Sequence, residues 1–400
     1  MAHPYLTADL PGVGGRIKVQ ADDFRVVETP LYTASGQGEH VYARIEKTGF
    51  STFEAVRQIA RALGINPRQV GYAGLKDAHA VTVQWLSLGN VPPARVERLD
   101  LPGIRVLEVD RHTNKLKVGH LRGNSFSIRV RDVPPTSLPD AQAILDRLAK
   151  EGTPNYYGTQ RFGLRGDTHL LGKALVHQDE EALVRRLVGM PHPNESPRVR
   201  RARQLFEDGD LEGAVRAWPR QMDAERSVAR ALLNGQDPAS AARRLPARLR
   251  RFYVSAYQSH LFNRVLARRI ERGILGRLLL GDLAYIHGKG AVFGVEDPRA
   301  EQPRADDLEI SPSGPLYGRK LTQAKGVPGE MEQRVLDEEG LQLDDWRVRG
   351  LKLKGARRAL RIPLRDVEVG YDEGLCLSFS LPPGCYATVV LRELQKPDDM

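Results

Sequence analysis

The pattern of the chain changes twice along its length, and this double change constrains the fold more than any other feature of the sequence. Up to about residue 150, and again after residue 355, short stretches alternate apolar and polar residues with the period of a β-strand. Between them, residues 165–275 follow a helical period and are rich in arginine. Strand signals that stop and later resume predict a mixed α+β domain interrupted by a helical insertion.

Local signals give the first element boundaries. Residues 16–30 predict a short strand, a turn and a second strand, and the alternation of residues 40–47 predicts a half-buried strand. Ser51 and Glu54 have the spacing of a capping box at the start of a helix that Gly64 ends. The apolar residues on one face of this helix are Phe53, Val56, Ala60 and Leu63.

Four later segments have equally clear patterns. Residues 125–133 alternate as a strand does, and residues 140–150 predict a helix. Residues 253–273 predict a strongly amphipathic helix, because large residues recur on one side with a spacing of four. These large residues are Tyr253, Tyr257, Leu261 and Val265. Residues 287–330 predict loops, because glycine and proline recur there.

Length and charge narrow the class of protein. A chain of 400 residues predicts roughly two to three domains. The net charge of +10 favours polyanionic partners such as nucleic acid or an anionic membrane. A basic protein from an arginine-rich proteome would have the same composition, so the charge alone does not choose between these interpretations.

The cysteines and the apolar runs exclude several further classes. Cys376 and Cys385 are the only cysteines of the sequence, which argues against a disulfide framework or a four-cysteine zinc site and fits a reducing cytoplasm. The N-terminal residues lack the charged start and apolar core of a signal peptide. No run of about 18 apolar residues is present, so we expect no membrane span.

Motifs for common cofactors are also missing. The sequence has no phosphate-binding loop, no glycine motif for dinucleotides, no zinc-protease helix and no nucleophile elbow. We therefore expect no ATP, NAD or catalytic zinc. What remains is a basic chain with aromatic residues placed among cationic and amide side chains.

The stretch GYAGLKDAHAVTVQW, residues 71–85, sets Asp77 and the neighbouring Lys76 between two apolar runs. An aspartate in front of a strand is commonly a turn former or a helix cap. Alternatively, the loop holds the carboxylate at the floor of a cleft, where a nearby cation keeps it ionised. A desolvated but ionised carboxylate can act as a nucleophile or a base. The residues alone leave both interpretations open.

The stretch NYYGTQRFG, residues 155–163, places aromatic rings beside a cation and an amide. Aromatic rings and arginine planes stack on unpaired bases, and amides hydrogen-bond to base edges. The alternative is a buried aromatic turn packed by Tyr156 and Phe162. Two arginine clusters, at residues 198–203 and 243–251, are either solvated helix faces or phosphate contacts.

Six motifs, taken in order along the chain, resemble the TruD family of tRNA pseudouridine synthases. They are YAGLKDAHAVTVQW, RGNSFSIRV, NYYGTQRFG, SAYQSHLFN, ISPSGPLYG and FSLPPGCYATVVLREL. Together they extend the resemblance from about Arg16 to Leu394, nearly the whole chain. A single motif would be weak evidence, but six in one order are hard to explain by coincidence.

The resemblance implies a pseudouridine-synthase catalytic domain with a mixed, largely antiparallel sheet, interrupted by a mainly helical insertion domain. We expect the catalytic domain in residues 1–152 and 345–400 and the insertion in residues 153–344. The implied activity is isomerisation of a tRNA uridine, expected to be uridine-13 of the D-arm, without cofactor or metal. We expect a cytoplasmic monomer whose partner is tRNA, with no membrane or protein partner. The insertion is long around residues 170–250, which leaves the tRNA footprint open.

Within this resemblance, Asp77 matches the catalytic aspartate, which attacks the target nucleotide. Lys18 matches a lysine that pairs with this aspartate and, as a cation, lowers its pKa. The glycosidic bond breaks, and the uracil rotates and rejoins through C5; whether the aspartate adds to the base or first removes a ribose proton stays open. Taken alone, Lys18 could equally be a surface lysine on a strand. His79 and Thr82 belong to the motif but receive no chemical role.

Further positions match substrate contacts of the family. They are Phe24, Asn124, Phe126 and Tyr386. A flipped uracil needs an aromatic ring to stack on and an amide to bind its edge. Tyr386 stands where many relatives have phenylalanine, so the ring is kept and a hydroxyl is added. Phe126 also shares an alternating face with Ile128 and Val130, as a core residue would. The residues expected to line the cleft between the domains are Gln160 and Arg161.

Two rival functions remain at this level. A non-catalytic tRNA-binding protein or RNA chaperone would use the same basic surface without needing the carboxylate of Asp77. A hydrolase with a covalent aspartyl intermediate would need a second acid or base, or a metal site, and the sequence has no signature of either. The resemblance favours the pseudouridine synthase over both.

Overall fold

The computed structural model of the chain describes residues 3–397 and contains fourteen strands and thirteen α-helices over that range. The strands are β1 (Phe24–Pro30), β2 (His40–Thr48), β3 (Gly71–Tyr72), β4 (Val81–Gly89), β5 (Ile104–His112), β6 (Leu121–Val130), β7 (Thr153–Pro154), β8 (Leu283–Ile286), β9 (Val292–Gly294), β10 (Ile310–Leu316), β11 (Ala356–Ala359), β12 (Arg361–Ile362), β13 (Arg365–Tyr371) and β14 (Leu375–Leu381). The helices are α1 (Thr52–Leu63), α2 (Pro93–Glu97), α3 (Leu138–Glu151), α4 (Thr168–His177), α5 (Glu180–Val188), α6 (Pro197–Glu207), α7 (Leu211–Ala217), α8 (Asp223–Leu233), α9 (Pro238–Ala242), α10 (Ala247–Glu271), α11 (Pro298–Asp306), α12 (Gly326–Glu338) and α13 (Ala387–Gln395).

The chain forms two compact units. The split unit comprises Tyr5–Thr153 and the described residues from Ile362 onward, and the inserted unit comprises Pro154–Arg361 with His3 and Pro4. The chain therefore returns to the split unit at 361/362, later than the boundary of 344/345 that the sequence predicted. The reason is that β11 pairs with β10 and so belongs to the inserted unit.

The split unit is built on one mixed sheet. Its strand order is β13-β14-β6-β1-β4-β2-β5, with β3 paired to β4. Only β1 and β4 run parallel among these pairs, and all the others are antiparallel. The predicted α+β class with a mixed, largely antiparallel sheet is confirmed.

Two apolar clusters cover the same face of this sheet. Helix α1 packs against the β2 and β4 side, and helices α3 and α13 pack against the β6 and β14 side. Paired residues point to one face, and the register Lys47–Thr82–Val26–Phe126 crosses the sheet from the first side to the second. Each fully buried leucine or isoleucine in the clusters contributes about 2 kcal/mol. Two buried polar residues, Lys47 and Thr82, occupy the stretch of this face between the two clusters.

Helix α1 forms as predicted, with one correction. Ser51 and Glu54 make the capping box, and Gly64 ends the helix in the left-handed region at φ 68°. Phe53, however, is 46% exposed and lies at the solvent-facing edge of the helix, so its assignment to the buried face was wrong. Ile59 lies on the buried face, about a third of a turn around the helix axis from Phe53. The apolar residues buried as predicted are Val56, Ala60 and Leu63.

The inserted unit is mainly helical in its first part, as predicted. Helices α4 to α10 follow one another between Thr168 and Glu271, and α10 is the longest. The large residues predicted for its inner side are all buried, namely Tyr253, Tyr257, Leu261 and Val265. Within residues 3–397, no helix combines the length and the apolarity that a bilayer crossing requires.

The prediction of loops for residues 287–330 was wrong. This part contains β9, α11, β10 and the start of α12, and the sheet order is β11-β10-β8-β9. Strand β10 has the sequence ISPSGPL. Its two prolines argued against a strand, since proline removes a ladder hydrogen bond. The prolines are tolerated because residues 310–312 pair only with β8 and residues 313–316 only with β11.

Candidate active site

Lys76 and Asp77 are adjacent in sequence but have different partners. Lys76 Nζ donates to Glu28 Oε2 at 2.7 Å, and the two side chains are only 5% and 1% exposed. The other oxygen of Glu28 accepts from the main-chain N–H of Trp85 at 3.3 Å. The side chain of Asp77, in contrast, is 40% exposed and pairs with Lys18. The loop between β3 and β4 thus buries one ion pair and presents a second carboxylate to solvent.

Lys18 reaches Asp77 from a strained turn instead of a strand. Arg16 forms a single bridge with Arg131, so the first strand predicted for residues 16–30 does not extend beyond it. Lys18 then adopts φ 58°, a left-handed conformation that costs a non-glycine residue about 1 kcal/mol or more. Its ammonium donates to Asp77 Oδ2 and lies 4.6 Å from the centre of the Phe24 ring. The surrounding structure therefore holds this lysine where a relaxed chain would not place it.

The environment of Asp77 keeps its carboxylate ionised. Burial raises the pKa of Asp77, but the hydrogen bond and the charge of Lys18 and the main-chain N–H groups of His79 and Ala78 together outweigh it. The His79 N–H lies 3.2 Å from Oδ1, while Lys18 binds Oδ2. The net result is a pKa below the usual value for aspartate. At neutral pH the group is a partly desolvated anion, the form required of a nucleophile or a base.

The aromatic residues beside this pair are buried. Phe24 is 5% exposed and Phe126 is 7% exposed, and both belong to the cluster under α3 and α13. Their rings meet edge to face with centroids 6.3 Å apart, and Phe126 stacks on Phe379 at 5.4 Å. The interpretation of Phe126 as a core residue therefore describes its packing. Phe24 is also the ring nearest the ammonium of Lys18.

Asn124 and Tyr386 lie on other elements of the split unit. Asn124 stands on β6, paired with Glu28 on β1 and with Leu381 on β14. Its Oδ1 is buried and has no hydrogen-bond partner among residues 3–397. A buried acceptor without a partner is costly, so this oxygen is suited to receive a hydrogen bond from a bound ligand. Tyr386 is partly exposed and immediately precedes α13.

Gln160 and Arg161 belong to the inserted unit and not to the unit that carries Asp77. They lie in a 3₁₀ helix, Thr159–Phe162, where Gln160 is exposed. The guanidinium of Arg161 bonds to the hydroxyls of Ser255 and Ser259. The same guanidinium lies over the rings of Tyr157 and Phe252, 5.7 Å and 5.6 Å from their centres. Arg161 is thus held rigidly beside two aromatic rings.

Two buried charged residues near Asp77 were not predicted from the sequence. Glu28 pairs with Lys76, and Lys47 is completely buried with its ammonium on main-chain carbonyls. Both continue the inward-facing period of their strands, Lys47 two residues after Ile45 and Glu28 two residues after Val26. A charged residue in phase with a buried face was the signal that could have found them.

Two further findings concern metals and cysteines. Within residues 3–397, no group of three or more histidine, cysteine, aspartate or glutamate side chains is arranged to hold a metal ion. Cys376 has a free thiol, and both Cys376 and Cys385 are of intermediate exposure.

Comparison with known proteins gives one consistent result. The family model for tRNA pseudouridine synthase D (TruD) matches residues 1–394. A tRNA pseudouridine synthase D from Syntrophotalea carbinolica is 46% identical over 396 residues, covering 98% of this chain and 99% of that protein. One from Geobacter metallireducens is 47% identical over 395 residues, covering 98% and 97%. A crystal structure of a TruD protein from Methanosarcina mazei matches with a TM-score of 0.84 and 31% identity, covering 98% and 96%.

Proposed function

The chain belongs to the TruD family of tRNA pseudouridine synthases, and we propose that it converts uridine-13 of the tRNA D-arm to pseudouridine with Asp77 as the nucleophile. The observation that carries this proposal is the ion pair of Asp77 and Lys18, because it supplies an ionised carboxylate at a half-exposed position. Both residues lie in the part of the chain that the family model covers.

The reaction is an isomerisation within one nucleotide. The bond between ribose C1′ and uracil N1 breaks, and a new bond forms between C1′ and uracil C5. The hydrogen on C5 leaves as a proton, and N1 gains a proton, so atoms balance without a co-reactant. The protein must therefore supply an anionic group that attacks the nucleotide and a site that holds the freed uracil while it turns.

Asp77 and Lys18 suit the first of these requirements. The carboxylate is ionised because Lys18 and the His79 N–H stabilise the anion more than burial destabilises it. One of its oxygens is held by Lys18, and the other is held by a backbone group. Fixed hydrogen bonds of this kind orient the attacking oxygen and restrict its alternative rotamers.

The neighbouring side chains suit the second requirement. We propose that Phe24, Phe126 and Tyr386 supply rings against which the flipped uracil packs, and that Asn124 binds its edge. The unpartnered Oδ1 of Asn124 can accept a hydrogen bond from a uracil N–H. The hydroxyl of Tyr386 adds a polar group that a phenylalanine would lack.

Binding of tRNA follows from charge and from the aromatic residues of the inserted unit. Taking uridine out of its stack costs a few kcal/mol. Contacts of arginine and lysine with the tRNA phosphates offset this cost. The net charge of +10 shows that the chain has cations in excess for such contacts. We propose that Gln160 and Arg161 contact the tRNA, since Arg161 is held beside two rings. We further propose a monomeric enzyme that works in the cytoplasm.

The test of this function uses two matched tRNA transcripts, one with uridine and one with cytidine at position 13. Purified protein is expected to form pseudouridine at position 13 of the first transcript and at no position of the second. Pseudouridine at another position in both transcripts would keep the enzyme class and overturn the assignment of uridine-13. Salt-sensitive binding of both transcripts without any pseudouridine would support the non-catalytic binding protein.

The side chain of His79 provides a prediction of no effect. It is 89% exposed, and its Nδ1 lies 3.9 Å from Asp77 Oδ1, whereas the contact that lowers the aspartate pKa comes from its main-chain N–H. His79→Ala is therefore expected to keep the rate of pseudouridine formation within about twofold of wild type. Single-turnover assays on tRNA transcripts measure this. A loss beyond about tenfold would instead assign the imidazole a part in the reaction.

A further inference from the structure

Lys47 is a fully buried cation next to the candidate nucleophile. It stands near the end of β2, is 0% exposed, and points to the covered face of the sheet. Its ammonium donates to the carbonyl oxygen of Phe50 and, at 2.9 Å, to the carbonyl oxygen of Asp77 itself. Lys47 therefore binds the main chain of the same residue whose side chain Lys18 binds.

A buried ammonium has a cost that an apolar residue would avoid. The pKa of Lys47 is lowered to about 8, chiefly by burial; the charges of Asp77 and Glu54 oppose this shift, and the positive charge of Lys76 adds to it. Among the described residues, the charges that act on Lys47 are those of Asp77, Lys76 and Glu54. Because a methionine of similar length would fill the space without this cost, stability alone does not explain a lysine here.

The contact with the Asp77 carbonyl constrains the carboxylate through the backbone. In a trans peptide, the C=O of one residue and the N–H of the next point in opposite directions. Holding the Asp77 carbonyl toward the interior therefore turns the N–H of Ala78 outward, where it faces the Asp77 carboxylate together with the N–H of His79. Lys47 thus fixes the orientation of the peptide between Asp77 and Ala78, and with it the direction of the Ala78 donor.

We propose that Lys47 is a positioning residue of the reaction, which orients the Asp77 carboxylate by holding the main-chain carbonyl of Asp77. This inference rests on the proposed function, because it assigns a second lysine to the same site. Lys18 binds the carboxylate from the substrate side, and Lys47 binds the backbone behind it. The alternative is a lysine that only closes a loop and contributes nothing but stability.

The experiment compares Lys47→Met, which removes both hydrogen bonds, with Lys47→Gln, which keeps an uncharged donor. The matched control is Lys396→Met, because Lys396 also donates to two carbonyl oxygens of the split unit, those of Thr7 and Leu10. For each variant we would measure the single-turnover rate at saturating enzyme, the tRNA Kd and the thermal midpoint. The control separates a general loss of loop anchoring from a loss at Asp77.

Lys47→Met is expected to lower the single-turnover rate on the order of 100-fold, because a displaced attacking group loses about that much. The tRNA Kd is expected to stay within about twofold, since Lys47 is buried and cannot reach phosphate. Lys47→Gln should fall between Lys47→Met and wild type, and Lys396→Met should keep the wild-type rate even where its thermal midpoint falls.

Three results would overturn the inference. They are a wild-type rate in folded Lys47→Met, a wild-type rate in Lys47→Gln if the methionine variant does not fold, and an equal loss in Lys396→Met. If neither Lys47 variant folds, the wild-type pH profile decides. A rate that declines as pH rises through about 8 supports a role for the charged lysine, and a flat profile from about pH 6 to 9.5 overturns it. Failure of the wild-type protein to form pseudouridine would refute the proposed function itself.

Discussion

Replacement of Asp77 by asparagine is expected to lower the rate of pseudouridine formation by at least about 10⁴-fold. Asparagine has nearly the same shape and can still accept a hydrogen bond from Lys18, but it is neutral and cannot attack the nucleotide. Affinity for tRNA should change little, because it comes mainly from phosphate contacts. The rate is measured with tRNA that carries tritium at uracil C5, since this hydrogen is released when C5 joins the ribose.

A matched control separates loss of the nucleophile from loss of an exposed ion pair. Asp372 also pairs with a cation of the split unit, Arg129, at 2.9 Å, and its side chain is 74% exposed. Asp372→Asn is expected to react at the wild-type rate within about twofold. An Asp77→Asn protein that is folded, binds tRNA and releases tritium at more than about a tenth of the wild-type rate would remove Asp77 from the mechanism.

Replacement of Lys18 by methionine is expected to have the second largest effect, a loss of activity on the order of 10³-fold near neutral pH. Two causes act together, because the carboxylate loses a partner that orients it and a cation that keeps it ionised. Without Lys18, the effect of burial on Asp77 is opposed mainly by the backbone N–H groups, so the pKa of Asp77 rises. The uncharged end of the methionine side chain also loses the cation–π contact that the ammonium of Lys18 makes with the Phe24 ring.

The pH dependence of activity is expected to shift in a definite direction when Lys18 is replaced. In wild type the carboxylate stays ionised to a pH below the usual aspartate value, so activity falls only in strong acid. In Lys18→Met the acid limb of the profile should move to higher pH, and part of the lost rate should return as pH rises. Lys18→Arg keeps a cation and should keep the acid limb near its wild-type position. An unshifted limb in Lys18→Met would mean that Lys18 does not control the ionisation of Asp77.

The elements that the sequence predicted correctly depend on neighbours close in the chain. The capping box of Ser51 and Glu54 and the inner side of α10 are set by spacings of three and four residues. The mixed fold followed from the change of period along the chain. Phe53 shows the limit of this reasoning, since a helical period identifies an apolar face but not which edge of it meets solvent.

What escaped prediction depends on residues that are distant in sequence. Strand β10 is built despite its prolines because different halves of it pair with different neighbours, β8 and β11. Lys47 and Asp77 are thirty residues apart and meet only because β2 lies beside β4 in the sheet. The pair of Lys18 and Asp77 was predictable from the family resemblance, whereas the left-handed turn that delivers Lys18 was not.

The most direct test of Asp77 as the nucleophile is nucleotide-resolution mapping of pseudouridine on tRNA that lacks the modification, after incubation with wild-type protein or with Asp77→Asn. We expect a new pseudouridine at position 13 of the D-arm with wild type and none with Asp77→Asn. Pseudouridine formed equally by both proteins would contradict the role of Asp77. No pseudouridine with either, alongside tRNA binding by both, would contradict the proposed activity.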